Sequence, residues 1–444
     1  MCQWYVSFIN NHVVSTCFIR RQLSALIVIS TLLGSSNIHA LNLHQAERLA
    51  IQSDPVIENL TATSGAFDDE SIADDTLPDP KLRLGAVNVP VDSFDLKQEQ
   101  MTQLKLGIQQ DFPRGDTLSI KKKQSQYLSR AALSMADDAQ LKIIRNVRET
   151  YLNLYYEVSA YQIIRETRKL FSELVKITQS NYAAGRVNQQ DVLLAELELS
   201  RLDDRSTKIQ ALEDVERTML AQWIGEPAWN SISSDFPVLP DLPKQVDLNQ
   251  VISRHPLIRS ETAKIDASKQ MTEMARQGYK PGWSFLFDYG FRFGDNPDGS
   301  RRPDFATAIV SLDVPLFTGN RQDKTVASNE KKISAARYTK DDQLRRLKQL
   351  YDKNNRLWSR LGERESLYKN NLLTAAENNY KAALKAYQSG VTEFNTLMRA
   401  QITELDVRLE SLRVRVDRAI AQTQILYITG DSGVSLDDKG VDHE

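Results

Sequence analysis

Proline is absent between Pro113 and Pro227, and again after Pro315. Between Gly115 and Gly225 the only glycine is Gly185. A helix interior disfavours proline by about 3 kcal/mol and glycine by about 1 kcal/mol relative to alanine. These two stretches, each more than about 100 residues long and rich in Ala, Leu, Glu, Lys, Gln and Arg, therefore read as long helices with a central interruption. Within them Leu141, Ile144, Val147, Tyr151, Leu154 and Val158 step by three or four. Leu405, Leu409, Leu412, Val416 and Ala419 alternate steps of four and three. Such a stripe is the seam of a coiled coil. A helix over 116–180 would extend about 100 Å, too long for a globular interior, so it must pair with other helices.

Charged residues make up 26% of the 444 positions, and the net charge is −2. No bias of sign points to nucleic acid or to an anionic surface. The mean hydropathy of −0.43 is too polar for a helical membrane protein, and after the N-terminal segment no apolar run approaches the ~20 residues a helical span needs. If the chain crosses a membrane, strands must do it. Residues 1–40 stand apart: Arg20 and Arg21, an apolar run from Leu23 to Leu33, then small and polar residues up to Ala40. This is the layout of a secretory signal peptide cut after Ala40; a membrane anchor is the alternative, for which the run is short. Both cysteines, Cys2 and Cys17, fall in this segment. Beyond it the chain offers no thiolate or disulfide chemistry, and its charge balance is 54 basic against 58 acidic residues, or −4.

An internal repeat runs at an offset of 205. Tyr182-Ala-Ala-Gly185-Arg-Val-Asn188-Gln-Gln-Asp191-Val-Leu-Leu-Ala195-Glu196 aligns without gaps on Tyr387-Gln-Ser-Gly390-Val-Thr-Glu393-Phe-Asn-Thr396-Leu-Met-Arg-Ala400-Gln401. Leu43-His-Gln45 falls on Leu248-Asn-Gln250, and Asp54-Pro55 resembles His255-Pro256. Two similar halves follow, 41–225 and 246–430, joined by a proline-bearing linker over 226–245, with a charged tail over 431–444 read as disordered. In each half a strand pair precedes a helical hairpin. The second half is clearest: Trp283, Phe285, Phe287, Tyr289, Phe291 and Phe293 fill every odd position, with Ser284, Asp288, Gly290 and Arg292 among the even ones. Period two with a wholly aromatic face is a strand with one greasy side. The expected strands are 81–90, 101–112, 283–294 and 304–317, followed by helical hairpins over 116–222 and 319–428. One reading is a soluble β-sandwich with that face buried. The other is a membrane barrel, for which four strands per chain leave open edges that lipid forbids; three chains would close a barrel of 12 strands.

The signal peptide, the tandem halves and the doubled Tyr-x-x-Gly turn together resemble the TolC-type outer-membrane factor family over about residues 41–430. Leu77-Pro78-Asp79-Pro80-Lys81-Leu82, Asn88-Val89-Pro90 and Met101-Thr102-Gln103 look most like its heavy-metal efflux branch. The resemblance implies a mainly α fold with a β-barrel part: a homotrimer whose 12-stranded barrel lies in the outer membrane of a Gram-negative bacterium, with an α-helical barrel in the periplasm. It implies a passive exit duct without cofactor, working with a periplasmic adaptor, or membrane fusion protein, and an inner-membrane pump. Its cargo would be heavy-metal cations, or otherwise drugs or small molecules. The turns Gly185, Arg186, Val187, Asn188 and Gly390, Val391, Thr392, Glu393 would be adaptor-contacting tips. Tyr387 and Asp191 match a gate tyrosine and a gate acid. Thr396 and Arg399 stand where the family often places acids, so an Arg399 ring or an Asp191–Arg399 pair is expected instead of an acidic ring. The aromatic stripe Trp283–Phe293 would face lipid.

Enzyme chemistry finds no support: no nucleophile motif, phosphate loop or His–carboxylate set occurs. Only His44, His255 and His443 follow residue 40, and no residues stand at metal-ligand spacing. A periplasmic adaptor would show one helical hairpin rather than two, and a coiled-coil scaffold would lack the aromatic strand.

Overall fold

A computed structural model describes residues 40–52, 54–243 and 247–431. The expected signal peptide, apart from Ala40, and the tail beyond Asp431 lie outside the described residues. The chain is mostly helical. The elements run α1 (Leu43–Gln52), α2 (Pro55–Asp74), β1 (Lys81–Val87), β2 (Gln103–Phe112), α3 (Thr117–Ala183) and α4 (Gln189–Ile224). A short 3₁₀ turn, Glu226–Trp229, opens the linker. Then follow α5 (Leu248–Arg254), α6 (Pro256–Gln277), β3 (Gly282–Arg292), β4 (Phe305–Asp313), α7 (Gln322–Leu367), α8 (Leu373–Gln388) and α9 (Phe394–Thr429). The order helix, helix, strand, strand, long helices occurs twice.

Matching caps start the second helix of each half. Asp54 accepts hydrogen bonds from the Val56 and Ile57 amides at 2.8 and 3.3 Å, with Pro55 in the first turn. His255 accepts from the Leu257 amide through Nδ1 at 3.3 Å, ahead of Pro256. Proline suits this position because its missing N–H would have no partner there.

The 67-residue α3 is the axis of the helical body. It packs against α1, α2, α4, α6 and α9. Its predicted seam is the core: Val147 and Leu154 are fully buried, and Tyr151 nearly so, against Leu43, Ala46 and Ala50 of α1 and Leu220 and Ile224 of α4. Leu152 and Tyr155 continue the packing onto Val416 and Ala419 of α9. Polar clasps fix the ends. Arg148 meets Glu47 at 2.5 Å, both buried, and the Tyr151 hydroxyl donates to the Leu41 carbonyl at 2.7 Å. A second clasp joins the halves: the Tyr427 hydroxyl donates to Asp138 at 3.0 Å, and His255 Nε2 donates to the Tyr427 carbonyl at 3.1 Å. With Nδ1 accepting, His255 is the neutral Nε2–H tautomer, in keeping with burial lowering its pKa.

The strands form one antiparallel sheet in the order β1-β2-β3-β4, with β2 pairing β3 across the two halves. They are shorter than the sequence suggests at five ends: the end of β1, the start of β2, the end of β3 and both ends of β4. β1 stops at Val87, before Asn88 turns with φ of 56°. β4 stops at Asp313, because Pro315 supplies no N–H for pairing. Phe293 lies one residue beyond β3, so the aromatic stripe outlasts its strand. One element went unforeseen: a π-helical turn, Tyr368–Leu372, interrupts the helix between α7 and α8.

Candidate functional site

The two glycine turns share one backbone geometry. Gly185 has φ of 68° and Gly390 has φ of 74°. In the first, the Gly185 amide donates to the Tyr182 carbonyl at 2.9 Å and the Arg186 amide to Asn181 at 2.8 Å. In the second, the Gly390 amide donates to Tyr387 at 3.0 Å and the Val391 amide to Ala386 at 2.9 Å. Both are left-handed glycine caps that satisfy the last carbonyls of a helix. The next helices start alike, with Asn188 (φ −81°, ψ 155°) and Glu393 (φ −78°, ψ 156°) in extended conformation. A Cβ at either glycine would meet open space, so the backbone alone demands glycine. Both turns lie at the end of the helical body away from the sheet. Just behind them a shared core holds Phe171, Leu174 and Val175 of α3 with Phe394, Leu397 and Met398 of α9. The tip side chains are open: Arg186 and Asn188 are exposed, Val187 and Thr392 half-buried, Glu393 exposed, and Val391 is 80% exposed.

The residues matched to a gate sit one turn further along. Tyr387 packs its ring edge-on against Phe394, with centroids 5.7 Å apart, and its buried hydroxyl has no hydrogen-bond partner. Asp191 stands half-buried in the first turn of α4, where its charge suits the positive end of the helix. Thr396 and Arg399 are exposed on α9. No ion pair joins Asp191 to Arg399 among the described residues of one chain.

At the opposite end, the register puts the aromatic stripe and most apolar strand residues on one side of the sheet, while Val87, Leu286, Phe305 and Ile309 fall on the other. Trp283 pairs Phe112 and Leu312, Phe287 pairs Ile108 and Ala308, and Tyr289 pairs Leu106 and Ala306. Beyond them Leu82 and Leu84 of β1 pair Ile108 and Leu106. Directly paired residues share a face, and Gln110 is the sole polar side chain on it. The strands make their substantial contacts only with one another. Among the described residues nothing covers this face: Trp283 keeps 44% of its surface exposed and Leu84 76%. The face is thus exposed in the single chain, unlike that of a soluble sandwich. The other side is more polar, with Gln103, Asp288 and Arg292 all buried and Lys105 reaching Asp288 at 3.9 Å. Beyond this inverted sheet, no helix among the described residues is long and apolar enough to cross a membrane.

Sequence reasoning missed two features. Arg302 donates to the carbonyls of Lys97 and Glu99, each at 3.0 Å, and to Phe293 and Asp295, each at 3.1 Å. Arg292 donates to Gln100 at 2.6 Å and to Pro303 at 3.1 Å. These arginines tie the β1–β2 loop to the β3–β4 loop. The sequence put Arg292 on the polar side of a strand and gave no sign of Arg302, since their partners across the loops are backbone carbonyls some 200 positions away. The second is Glu157, buried on α3 with one carboxylate oxygen unpartnered. Burial pushes its pKa up to about 7, Glu216 and Glu213 of α4 push the same way, and Arg413 of α9 opposes them. Arg413 is itself committed to Asp417 and Asn153 and lies 4.9 Å from the Tyr156 ring.

Comparison with known proteins meets this geometry. Residues 248–431 match the family model for outer membrane efflux protein. Curated protein sequences give no match. Among solved structures, the CmeC outer membrane channel of Campylobacter jejuni superposes with a TM-score of 0.75 at 13% identity, covering 88% of this chain and 86% of that one. The outer membrane protein VceC of Vibrio cholerae gives 0.73 at 17%, covering 87% and 96%. The open state of the MtrE outer membrane channel of Neisseria gonorrhoeae gives 0.74 at 14%, covering 88% and 89%. The chain thus shares the fold of solved outer-membrane channels, and its residues 248–431 are similar to the outer membrane efflux protein family.

Proposed function

We propose that the protein is the passive exit duct of an efflux system, seated in the outer membrane of a Gram-negative bacterium. The observation that carries this reading is the sheet: an apolar face that no described residue covers, an opposite face bearing Gln103, Asp288 and Arg292, and unpaired edges at β1 and β4. A sheet greasy outside and polar inside suits lipid around a water-filled lumen. Its open edges are intolerable in lipid, and three copies pairing β4 to β1 close a barrel of twelve strands. Strands of 7 to 11 residues are near the ~9–11 needed for a tilted span. The trimer then carries three helical bodies, which line a tunnel on the periplasmic side.

The two glycine turns at the far end are the docking tips for a periplasmic adaptor, which links the duct to an inner-membrane pump. Two hairpins, α3–α4 and α7–α9, fit this role and not that of the adaptor, which needs one. Tyr387, Asp191, Thr396 and Arg399 are assigned to the closed constriction just inside the tips, where an Arg399 ring or cross-chain Asp191–Arg399 pairs hold it shut. Adaptor contact favours the open form by binding it more tightly. Heavy-metal cations are the proposed cargo, on the strength of the Leu77–Leu82 segment. No group of His, Cys, Asp and Glu among the described residues could hold a metal ion; selection would then rest with the pump.

The test is planar-bilayer conductance of the detergent-extracted protein, with its oligomeric mass measured alongside. A trimer with small conductance that rises on Arg399→Ala supports a gated duct. A monomer that stays soluble without detergent would remove the membrane assignment.

A further inference from the structure

On the sheet face that carries Asp288, the strand register brings Arg83, Gly107, Asp288 and Thr307 to one depth. Lys105 lies one row nearer the loops, level with Gly85 and Gly290. The middle of this face therefore holds two cations for one carboxylate. Lys105 reaches Asp288 at 3.9 Å. Arg83 is exposed on β1 and has neither a hydrogen bond nor an ion pair among the described residues. Its neighbours leave it open. Gly85 and Gly107 carry no side chain, and a Cβ on Gly107 would collide with the Asp288 carboxylate, which leans over that position.

The other charges of the face are paired or add to the same sign. Toward the helices, Lys81 pairs Asp111 at 2.6 Å and Asp313 pairs Arg114 at 3.5 Å. Toward the loops the next charged residue is Arg292, a further cation, whose guanidinium donates to the Gln100 and Pro303 carbonyls. The strands thus set Lys81, Arg83, Lys105 and Arg292 against Asp111, Asp288 and Asp313, an excess of one cation per chain. The loops are acidic, with six acids against three bases over 88–102 and 293–304. Asp304, the acid nearest the sheet, turns to the apolar side, where the Tyr289 hydroxyl donates to it at 2.9 Å. The remaining loop acids lie beyond the strand ends. Val87, at the end of β1, already stands ~13 Å above Arg83 at ~3.3 Å per residue. That exceeds the screening length of ~8 Å at physiological salt.

We infer that Arg83, with Lys105, gives the barrel lumen a positive waist that favours anions over cations. The inference rests on the duct reading and narrows its cargo. Three copies around one lumen place three uncompensated charges at one depth. A low-dielectric wall focuses their field into the water between them. A metal complexed as an anion then passes more readily than the bare cation.

The experiment reads the potential at the waist itself, away from the tips. In a full chain with Cys2→Ser and Cys17→Ser, Gly85→Cys puts a thiol on this face beside Arg83, where a Cβ meets nothing within 4 Å. The protein is held in lipid vesicles and labelled on both sides with methanethiosulfonates bearing either a sulfonate or a trimethylammonium group. The ratio of the two rates reads the sign of the local potential, and intrinsic reactivity cancels between variants. Arg83→Glu should lower the anion-to-cation ratio about 5-fold at ~0.1 M salt, and by less at ~1 M, where screening acts within ~3 Å. Arg83→Gln should fall between, and Arg83→Lys should keep the wild-type ratio, which separates charge from shape. Leu84→Cys, on the apolar face, tests the duct reading separately. Lipid should shield this thiol while that of Gly85→Cys reacts. Equally fast labelling of both would sink the duct reading, and the waist with it. Protection of Leu84→Cys with a ratio indifferent to Arg83→Glu would overturn the waist and leave the duct standing. A Gly85→Cys thiol that neither reagent reaches would overturn the waist as well, since a face closed to water selects no ion.

Discussion

Leu152 and Phe287 are both large apolar residues on regular elements, yet Leu152 has no exposed surface and Phe287 keeps 41%. Leu152 sits where α3, α9 and the linker meet, and the chain supplies every neighbour it needs. Phe287 sits at the centre of the sheet, and the chain supplies only the flanking strands. The helical body thus buries its apolar residues by its own folding, while the sheet keeps an apolar face that no described residue covers. The same contrast recurs among the long helices. α3 buries residues along its whole length, whereas α7 buries five of 46.

The contrast can be broken at either end. Leu152→Ala should cost about 2–5 kcal/mol, the usual range for emptying a buried leucine site. Denaturant unfolding followed by helical circular dichroism would read the loss, and the change should be alike in detergent and in lipid. If the cost vanished in lipid, the body would depend on the membrane and the contrast would fail. Phe287→Arg should act the other way. On a lipid-facing strand a central arginine costs about 2–4 kcal/mol, so the fraction recovered in membranes should fall while helicity is kept. Equal recovery of Phe287→Arg and wild-type protein would show that the face meets water or protein.

The smallest effect concerns pH. The Glu157 pKa is raised in the folded chain, to about 7 against an ordinary 4.5. Between those values the folded state binds the extra proton, so stability falls as pH rises through this window. Glu157→Gln should flatten that slope, bringing relative stabilisation above pH 7 and no difference below about 4.5. Melting temperatures at pH 4.5, 6 and 8 would read it. Parallel curves for the two proteins would mean that Arg413 already neutralises the carboxylate.

Most of the architecture was legible in the chain because it rests on local rules. Proline and glycine spacing marks the long helices, since backbone strain is paid residue by residue. The seam Leu141–Leu154 marks the core face because helical periodicity and burial coincide there. Gly185 and Gly390 mark the turns because each occupies positive φ. The alternation from Trp283 to Phe293 fixed a strand with one greasy side. It left open whether that side was buried, because period two is the same for a sandwich and for a barrel.

What the tertiary structure alone decided is how distant residues meet. That no described residue covers the greasy face follows from strands that pack on each other, which no local pattern encodes. The Arg302 clamp joins Lys97 and Glu99 to a loop some 200 positions away through backbone carbonyls that every residue possesses. Glu157 looks like any solvated helix charge until α4 and α9 close over it and strip its water. Sequence determined the elements because period and strain are local. Structure decided the surfaces, because burial, desolvation and adjacency belong to the whole assembly of elements.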